Sequence, residues 1–235
     1  MYSFIFGTRT IESIIKYQSA RVIRFIFIHY QEKPNNLHIP YEIWSKQLFK
    51  KVFGQESISQ GVCLITKQFP YSQLNLLNMK EISLCTILDG LENPGNLGRA
   101  TRSSVALGSQ LIIITKKKSS PITPMAEKIA TGHFSRIPIV QTTNLNKTLS
   151  FLKRCNFHII GSCSKKTHAT IYNFKFPPKT AIVIGNELHG IHKNTKSQCH
   201  SLIRIPTIYQ LPLNAADALF VFLYEISKQK QLSLS

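Results

Sequence analysis

Ala181-Ile182-Val183-Ile184-Gly185-Asn186-Glu187-Leu188-His189-Gly190-Ile191 is the stretch on which the fold turns. Four apolar residues in a row, two of them β-branched isoleucines, read as a short strand. Because apolar and polar residues do not alternate, that strand is expected to be buried on both faces, as in a parallel sheet covered by helices. It runs into a loop with glycine at both ends and one carboxylate between. Glycine lets the backbone approach a ligand or take a positive φ. A plain turn between strand and helix is the more frequent explanation of such a loop, and Glu187 or His189 alone would carry little.

Working outward, the same strand type recurs at Ile82 to Leu88, Leu111 to Thr115, Ile137 to Val140, Phe157 to Gly161 and Leu202 to Ile205. Helical spacing fills most of the gaps, at Leu97 to Leu107, Pro124 to Thr131, Leu145 to Cys155 and Ala215 to Lys228. Strands alternating with helices predict an α/β fold around a parallel sheet. Ligands of such sheets sit beyond the carboxyl ends of the strands, so the loops leaving those ends are the place to look for chemistry.

Residues 1–70 have a different texture. A helix is expected over Thr10 to Tyr17, a buried strand over Val22 to Ile28, a helix over Tyr41 to Val52 and a strand over Val62 to Thr66. The polar run Gln31 to Asn36 closes the first strand, and the polar, aperiodic stretch from Gln68 to Lys80 reads as a linker. The expected organisation is a small α/β domain over 1–70, a linker over 71–80 and a larger α/β domain over 81–235.

The 235 residues carry 29 Lys and Arg against 11 Asp and Glu, a net charge of +18. The surplus runs along the whole chain, which points to a polyanionic partner; a solubilising surface or a lysine-rich genome gives the same number. Arg9, Arg24 and Arg99 are candidate contacts to a polyanion such as RNA. No apolar run has the roughly 18 residues of a membrane span, and no basic amphipathic helix stands out, so no membrane partner is expected. Tyr2 to Phe6 is too short for a signal peptide. The five cysteines are odd in number and form no CxxC pair, which fits a reducing cytoplasmic location. Cys199-His200 has no partner pair at ligand spacing, so no metal site is expected.

Three loops carry candidate chemistry. The first, Asp89 to Arg102, ends a strand in a turn rich in Asn, Pro and Gly and opens a helix near Asn96, a residue suited to the N-cap. Arg99 and Arg102 share a face within its first two turns. Cations there are unfavourable by roughly 0.3–1 kcal/mol each, which suggests either an anion to hold or an ordinary solvated face. The glycine spacing is not that of a dinucleotide fingerprint. The second loop is the one quoted at the start. The third runs from Arg204 to Asn214 into an apolar helix on which Asp217 calls for a partner.

Taken in order, these loops resemble the three signature motifs of the SpoU (TrmH-like) family of RNA ribose methyltransferases. N-x-G-x-x-x-R is met by Asn96, Gly98 and Arg102, and G-x-E-x-x-G by Gly185, Glu187 and Gly190. The third motif is met by Ile205-Pro206, Leu213-Asn214 and Leu223-Tyr224-Glu225. The N-terminal part, through Phe6-Gly7, the strand near Phe25 and Ser59-Gln60-Gly61-Val62, is similar to the substrate domain of the bacterial subgroup that methylates a guanosine of large-subunit (23S) rRNA. That domain is related to a ribosomal-protein (L30e-like) fold.

The resemblance implies a parallel sheet with a deep trefoil knot near the C-terminus, a homodimer with the site at its interface, and S-adenosyl-L-methionine as cofactor. It implies that Gly185, Asn186, Gly190, Ile205 and Leu213 hold the cofactor. It further implies that Arg102 assists removal of the 2′-hydroxyl proton, with Asn96, Glu187 and Asn214 ordering the site. An arginine stays protonated in ordinary surroundings, so its part is to arrange the deprotonation. The sequence departs from the pattern where Pro212 stands for a serine, where Tyr209-Gln210 stands for a glycine, and in a third loop one residue short. The leading expectation is a 2′-O-methyltransferase of large-subunit rRNA. The alternatives are a tRNA 2′-O-methyltransferase or a catalytically silent RNA-binding or ribosome-assembly protein on the same fold.

Overall fold

The computed structural model describes residues 2–28, 38–54, 61–164 and 169–232. The Gln31 to Asn36 run, and Ser59 and Gln60, lie outside the described residues. The chain forms two compact units. One comprises Met1–Pro70 together with Ile122–Arg136, the other Tyr71–Pro121 with Ile137–Ser235.

The first unit is built on a four-stranded sheet. Its strands are β1 (Tyr2–Ile5), β2 (Val22–Phe27), β3 (Tyr41–Ile43) and β4 (Val62–Lys67), in the order β1-β4-β2-β3. β4 pairs antiparallel with β1 and β2, while β2 and β3 are parallel. Helices α1 (Thr8–Tyr17) and α2 (Lys46–Phe53) complete its N-terminal portion. Tyr41 to Val52 is therefore not one helix. Tyr41–Ile43 extends along β2, and Ser45 restarts the chain as a helix by accepting a hydrogen bond from Leu48 N–H. Tyr41 and Ile43, aromatic and β-branched on either side of Glu42 just after Pro40, suit a strand better than a first helical turn.

The segment Ile122–Arg136 holds α4 (Pro124–Ile129) and a 3₁₀ turn, His133–Arg136. Its contacts are with α1 and β1, although the expected organisation placed it in the larger domain. Ser13 Oγ donates to Gly132 O at 2.7 Å, and Arg21 Nη1 meets Glu127 Oε1 at 2.9 Å with both side chains about 95% buried. Phe134 packs edge-on against Phe69, and the Arg136 guanidinium lies over the Tyr17 ring.

The second unit is a six-stranded, wholly parallel sheet. β5 (Leu84–Asp89), β6 (Leu111–Thr115), β7 (Ile139–Thr142), β8 (His158–Ser162), β9 (Thr180–Gly185) and β10 (Ser201–Ile203) lie in the order β10-β8-β9-β5-β6-β7. Every residue of β5 and β9 is buried, as a sheet covered on both faces requires. One core face gathers Ile87, Ile113, Ala181 and Val183 with Leu149 and Leu152 of α5 (Leu145–Arg154). Met79 belongs to this core, so part of the expected linker packs in the second unit.

On the other face lie α3 (Pro94–Ala106) and α7 (Ala215–Leu232), which pack on each other. There Ser104 of α3 donates to Thr86 Oγ1 of β5 at 3.1 Å. A one-turn helix, α6 (Lys193–Lys196), follows the β9 loop. No helix among the described residues is long and apolar enough to cross a membrane.

Candidate functional site

The loops leaving β5, β9 and β10 converge at the carboxyl ends of the strands. The first of them is set by Asn93, not Asn96. Asn93 caps α3 by accepting from the N–H groups of Gly95 and Asn96, and Pro94 occupies the first helical position, where no donor is needed. Asn96 therefore enters the first turn with its side chain available for other work.

That side chain is the hub of the site. Asn96 Nδ2 donates to Glu187 Oε1 at 2.7 Å, and its Oδ1 accepts from Arg99 Nη2 and, at 3.3 Å, from Asn214 Nδ2. One buried amide thus joins three loops. Asn214 is the cap of α7 as well, since its Oδ1 accepts from Ala216 N–H at 2.9 Å. Arg102, nearly two turns beyond Asn96 on α3, is exposed and stands outside this hydrogen-bonded set.

The loop after β9 is a closed ring. Asn186 and Gly190 exchange two backbone hydrogen bonds, 3.0 and 2.9 Å, and Asn186 Oδ1 accepts from Leu188 and His189 N–H. Gly185 is required by this closure, because a Cβ there would stand 2.1 Å from the Gly190 carbonyl carbon and from Ile191 N. Asn186 also reaches back, donating to Gly90 O at 2.8 Å, so the second loop is fastened to the first.

A cleft of about 660 Å³ opens beside this ring. Its walls include all five candidate cofactor residues, Gly185, Asn186, Gly190, Ile205 and Leu213. Ser162 at the end of β8, Cys163 and Ser164 after it, Arg204, and Ala218 and Phe222 of α7 also line it. Ile205 lies beyond the end of β10 at Ile203, in the loop and not in the expected strand. Pro212 lines the cleft where a serine was expected. Gln210 takes a left-handed φ of 57°, which is why glycine suits that part of the loop.

Two features were missed in the sequence. Asp89, 3% exposed at the end of β5, accepts from His192 N–H at 3.1 Å and lies 3.0 Å from His192 Nδ1, tying down the chain as it leaves the β9 ring. A carboxylate closing a mostly apolar parallel strand was the available signal. The wall after β8 carried no motif. Asp217 is exposed in the first turn of α7, where the helix dipole suits a carboxylate, so it needs no buried partner. Of the candidate RNA contacts, Arg9 and Arg99 are exposed and Arg24 is paired with Glu42. Among the described residues no group of three or more His, Cys, Asp or Glu is gathered as metal ligands.

Residues 83–224 match the SpoU rRNA methylase family. The chain is 30% identical, over 96% of its length and 97% of the relative's, to the 23S rRNA (guanosine-2′-O-)-methyltransferase RlmB of Haemophilus influenzae. It is 29% identical, over 98% and 96%, to the protein of that name from Blochmanniella floridana. The SpoU methyltransferase AviRb of Streptomyces viridochromogenes, solved in complex with the cofactor AdoMet, shares the fold. Its TM-score is 0.85 at 20% identity, over 97% of this chain and 90% of that one. The chain belongs to the SpoU rRNA methylase family.

Proposed function

We propose that this protein transfers a methyl group from S-adenosyl-L-methionine to the 2′-hydroxyl of a guanosine in 23S rRNA. The observation that carries the reading is the meeting of Asn96, Glu187 and Asn214 beside a cleft walled by the five candidate cofactor residues. Near-full-length relatives bearing that activity in their names support the substrate.

The cleft fits the cofactor on its own terms. Its volume falls within the roughly 300–1,000 Å³ of small-molecule sites. Gly185 and Gly190, which bring no side chain to the ring, line the space. Gly185, Asn186, Gly190, Ile205 and Leu213 would hold the group. When bound, S-adenosyl-L-methionine supplies an activated sulfonium methyl.

The chain's own task is alignment and charge stabilisation. Glu187, fixed by Asn96, and Asn214, fixed by its capping bond, order the floor of the site. Arg102 arranges deprotonation of the ribose hydroxyl and steadies the developing oxyanion as a cation. Arg99, Arg9 and Arg24 contact RNA phosphate, Arg24 after exchanging Glu42 for it.

Residues 1–70, completed by 122–136, act as the RNA substrate domain, of ribosomal-protein (L30e-like) type, and the remainder from Tyr71 onward acts as the methyltransferase domain. The C-terminal path is a trefoil knot. In support, the chain leaves edge strand β10, bridges Thr170 at Arg204, and returns to pack α7 on β9 and α3. The protein works as a cytoplasmic homodimer; exposed Leu188, Ile208, Tyr209 and Phe220 around the site supply an apolar surface for a second copy.

Incubation with labelled S-adenosyl-L-methionine and unmodified 23S rRNA tests the reading. Ribose methylation at one guanosine is expected, and folded protein that leaves the rRNA unmethylated would overturn it. Pro212 in the cleft wall favours a second reading, a silent RNA-binding protein on the same fold. Calorimetry separates the two: micromolar cofactor binding supports the enzyme, and none at millimolar concentration supports the silent protein.

A further inference from the structure

The loop after β6 carries Lys116, Lys117 and Lys118, all exposed. It is not a loose tail of charge. Lys116 N–H donates to Thr142 O at 2.8 Å, and Ser120 N–H donates to Leu91 O at 2.8 Å. Thr115 Oγ1 accepts from Gly90 N–H at 3.1 Å and pairs with Ser119 Oγ at 2.6 Å. Lys118 takes a left-handed φ of 53°, a conformation that costs an L-residue energy and persists only where the surroundings impose it. The loop is thus built onto the Gly90-Leu91 turn that precedes the Asn96 helix.

The His192 ring faces the same turn. A Cβ on Gly90 would lie 3.1 Å from His192 Cε1 and 3.3 Å from Lys118 O, so the His192 ring and the lysine loop flank one point. Exposed Lys193 follows His192. The carboxylates nearby are Asp89, engaged with His192, Glu92, 3.4 Å from Asn186 Nδ2, and Glu187, engaged with Asn96. The three lysines have no carboxylate partner among the described residues.

Strand order places this patch. The cleft lies past β8 and β9, the Asn96–Glu187 bond spans the ends of β5 and β9, and the lysines follow β6. Neighbouring strands are about 4.8 Å apart, so the lysines stand one strand beyond the site, on the side away from the cleft. A polynucleotide strand with its target ribose at the Asn96–Glu187 pair would run its adjoining phosphates over them.

We propose that Lys116, Lys117 and Lys118 form a phosphate-tracking surface that grips the RNA backbone flanking the target nucleotide. The surface sets affinity and position, whereas the chemistry is left to the site. This rests on the RNA-methyltransferase reading.

The test uses the full chain with Lys116→Gln and Lys117→Gln, then with Lys118→Asn added, since Asn tolerates a left-handed φ. Binding of an unmodified 23S rRNA fragment is measured from 50 to 200 mM salt. Loss of three phosphate contacts is expected to flatten the slope of log affinity against log salt by about 2 to 3. KM for RNA rises at least about tenfold, kcat at saturating RNA holds, and calorimetric S-adenosyl-L-methionine affinity is unchanged. An unchanged slope overturns the proposal, as does a fall in kcat at unchanged RNA affinity. So does a variant that binds rRNA normally but loses binding to phosphatidylserine vesicles. A wild-type protein that binds the fragment without methylating it sinks the enzyme reading alone, because the salt slope still tests the lysines.

Discussion

Asn96 and Glu187, 91 positions apart in the chain, meet in a single 2.7 Å hydrogen bond that joins the β5 and β9 loops. The donor is the amide nitrogen of Asn96, while its oxygen serves Arg99 and Asn214. The orientation of one amide therefore arranges three side chains at once.

Asn96→Asp keeps the size and the acceptor but sets a second carboxylate against Glu187. Under the proposed function, kcat should fall about 10²-fold, as when one placed donor is lost from a site. Cofactor affinity should stay within a few-fold, because Asn96 is not part of the cleft wall. Single-turnover methylation and calorimetry on the same preparation check the split, and equal losses in both would contradict it.

The two glycines of the β9 ring should fail differently. Gly185→Ala drives a Cβ to 2.1 Å from backbone atoms that cannot yield, so roughly 3 kcal/mol of stability and the cleft's shape should go together. Gly190→Ala meets no atom within 4 Å but must hold a φ of 67°, at a cost of about 1–2 kcal/mol. Urea denaturation of both variants measures the difference, and Gly190→Ala should retain cofactor binding.

The buried Arg21–Glu127 pair gives a pH-dependent variant. Burial pushes the Glu127 carboxyl up from the usual carboxylate range, while Arg21 pulls it back. Arg21→Met removes the pull and leaves a buried charge, which costs about 3–5 kcal/mol at neutral pH. The loss should shrink as pH falls, because a carboxyl already raised by burial takes up a proton and the stranded charge disappears. Denaturation at pH 7.5 and 5.5 reads the change, and a constant loss would argue against the pair.

Acid should also weaken the protein at the amino ends of β8 and β10. His158 and His200 lie with ring centroids 4.7 Å apart. His200 Nδ1 accepts from Ile159 N–H at 2.8 Å, which the protonated ring cannot do. Burial lowers both imidazoles from their ordinary value, helped at His158 by His200 and at His200 by Lys153. The unfolded chain binds protons first, near about pH 6.5. The contribution is therefore complete above that pH and is lost as pH drops toward the lower folded values. Thermal melts of the wild type should fall more steeply below pH 6.5 than those of His158→Phe/His200→Gln.

Much of this architecture could be read in the residues. Leu111–Thr115 forms the strand its β-branched run predicts, and the alternation of strands and helices becomes the parallel sheet. The errors are local competitions that pattern alone does not rank. Asn96 was expected as the cap, but Asn93-Pro94 fits that place better and frees Asn96 for the site. Tyr41 to Val52 carries helical spacing, yet pairing with β2 claims its first three residues. Asp89, the wall after β8 and the lysine loop's attachment to Gly90 were hidden for another reason. Each depends on which strand lies beside which, and the order β8-β9-β5-β6 is not written in any local period.

The division of the first unit between residues 1–70 and 122–136 also sets a timetable for its birth. Arg21 waits for a carboxylate 106 positions later, and Ser13 for a carbonyl 119 positions later. At about 5–20 residues per second of synthesis, the N-terminal seventy residues wait roughly 3 to 13 seconds for their missing piece. By then β5 and β6 have already left the ribosome. The first unit is thus begun before the second and closed only after the second is under way.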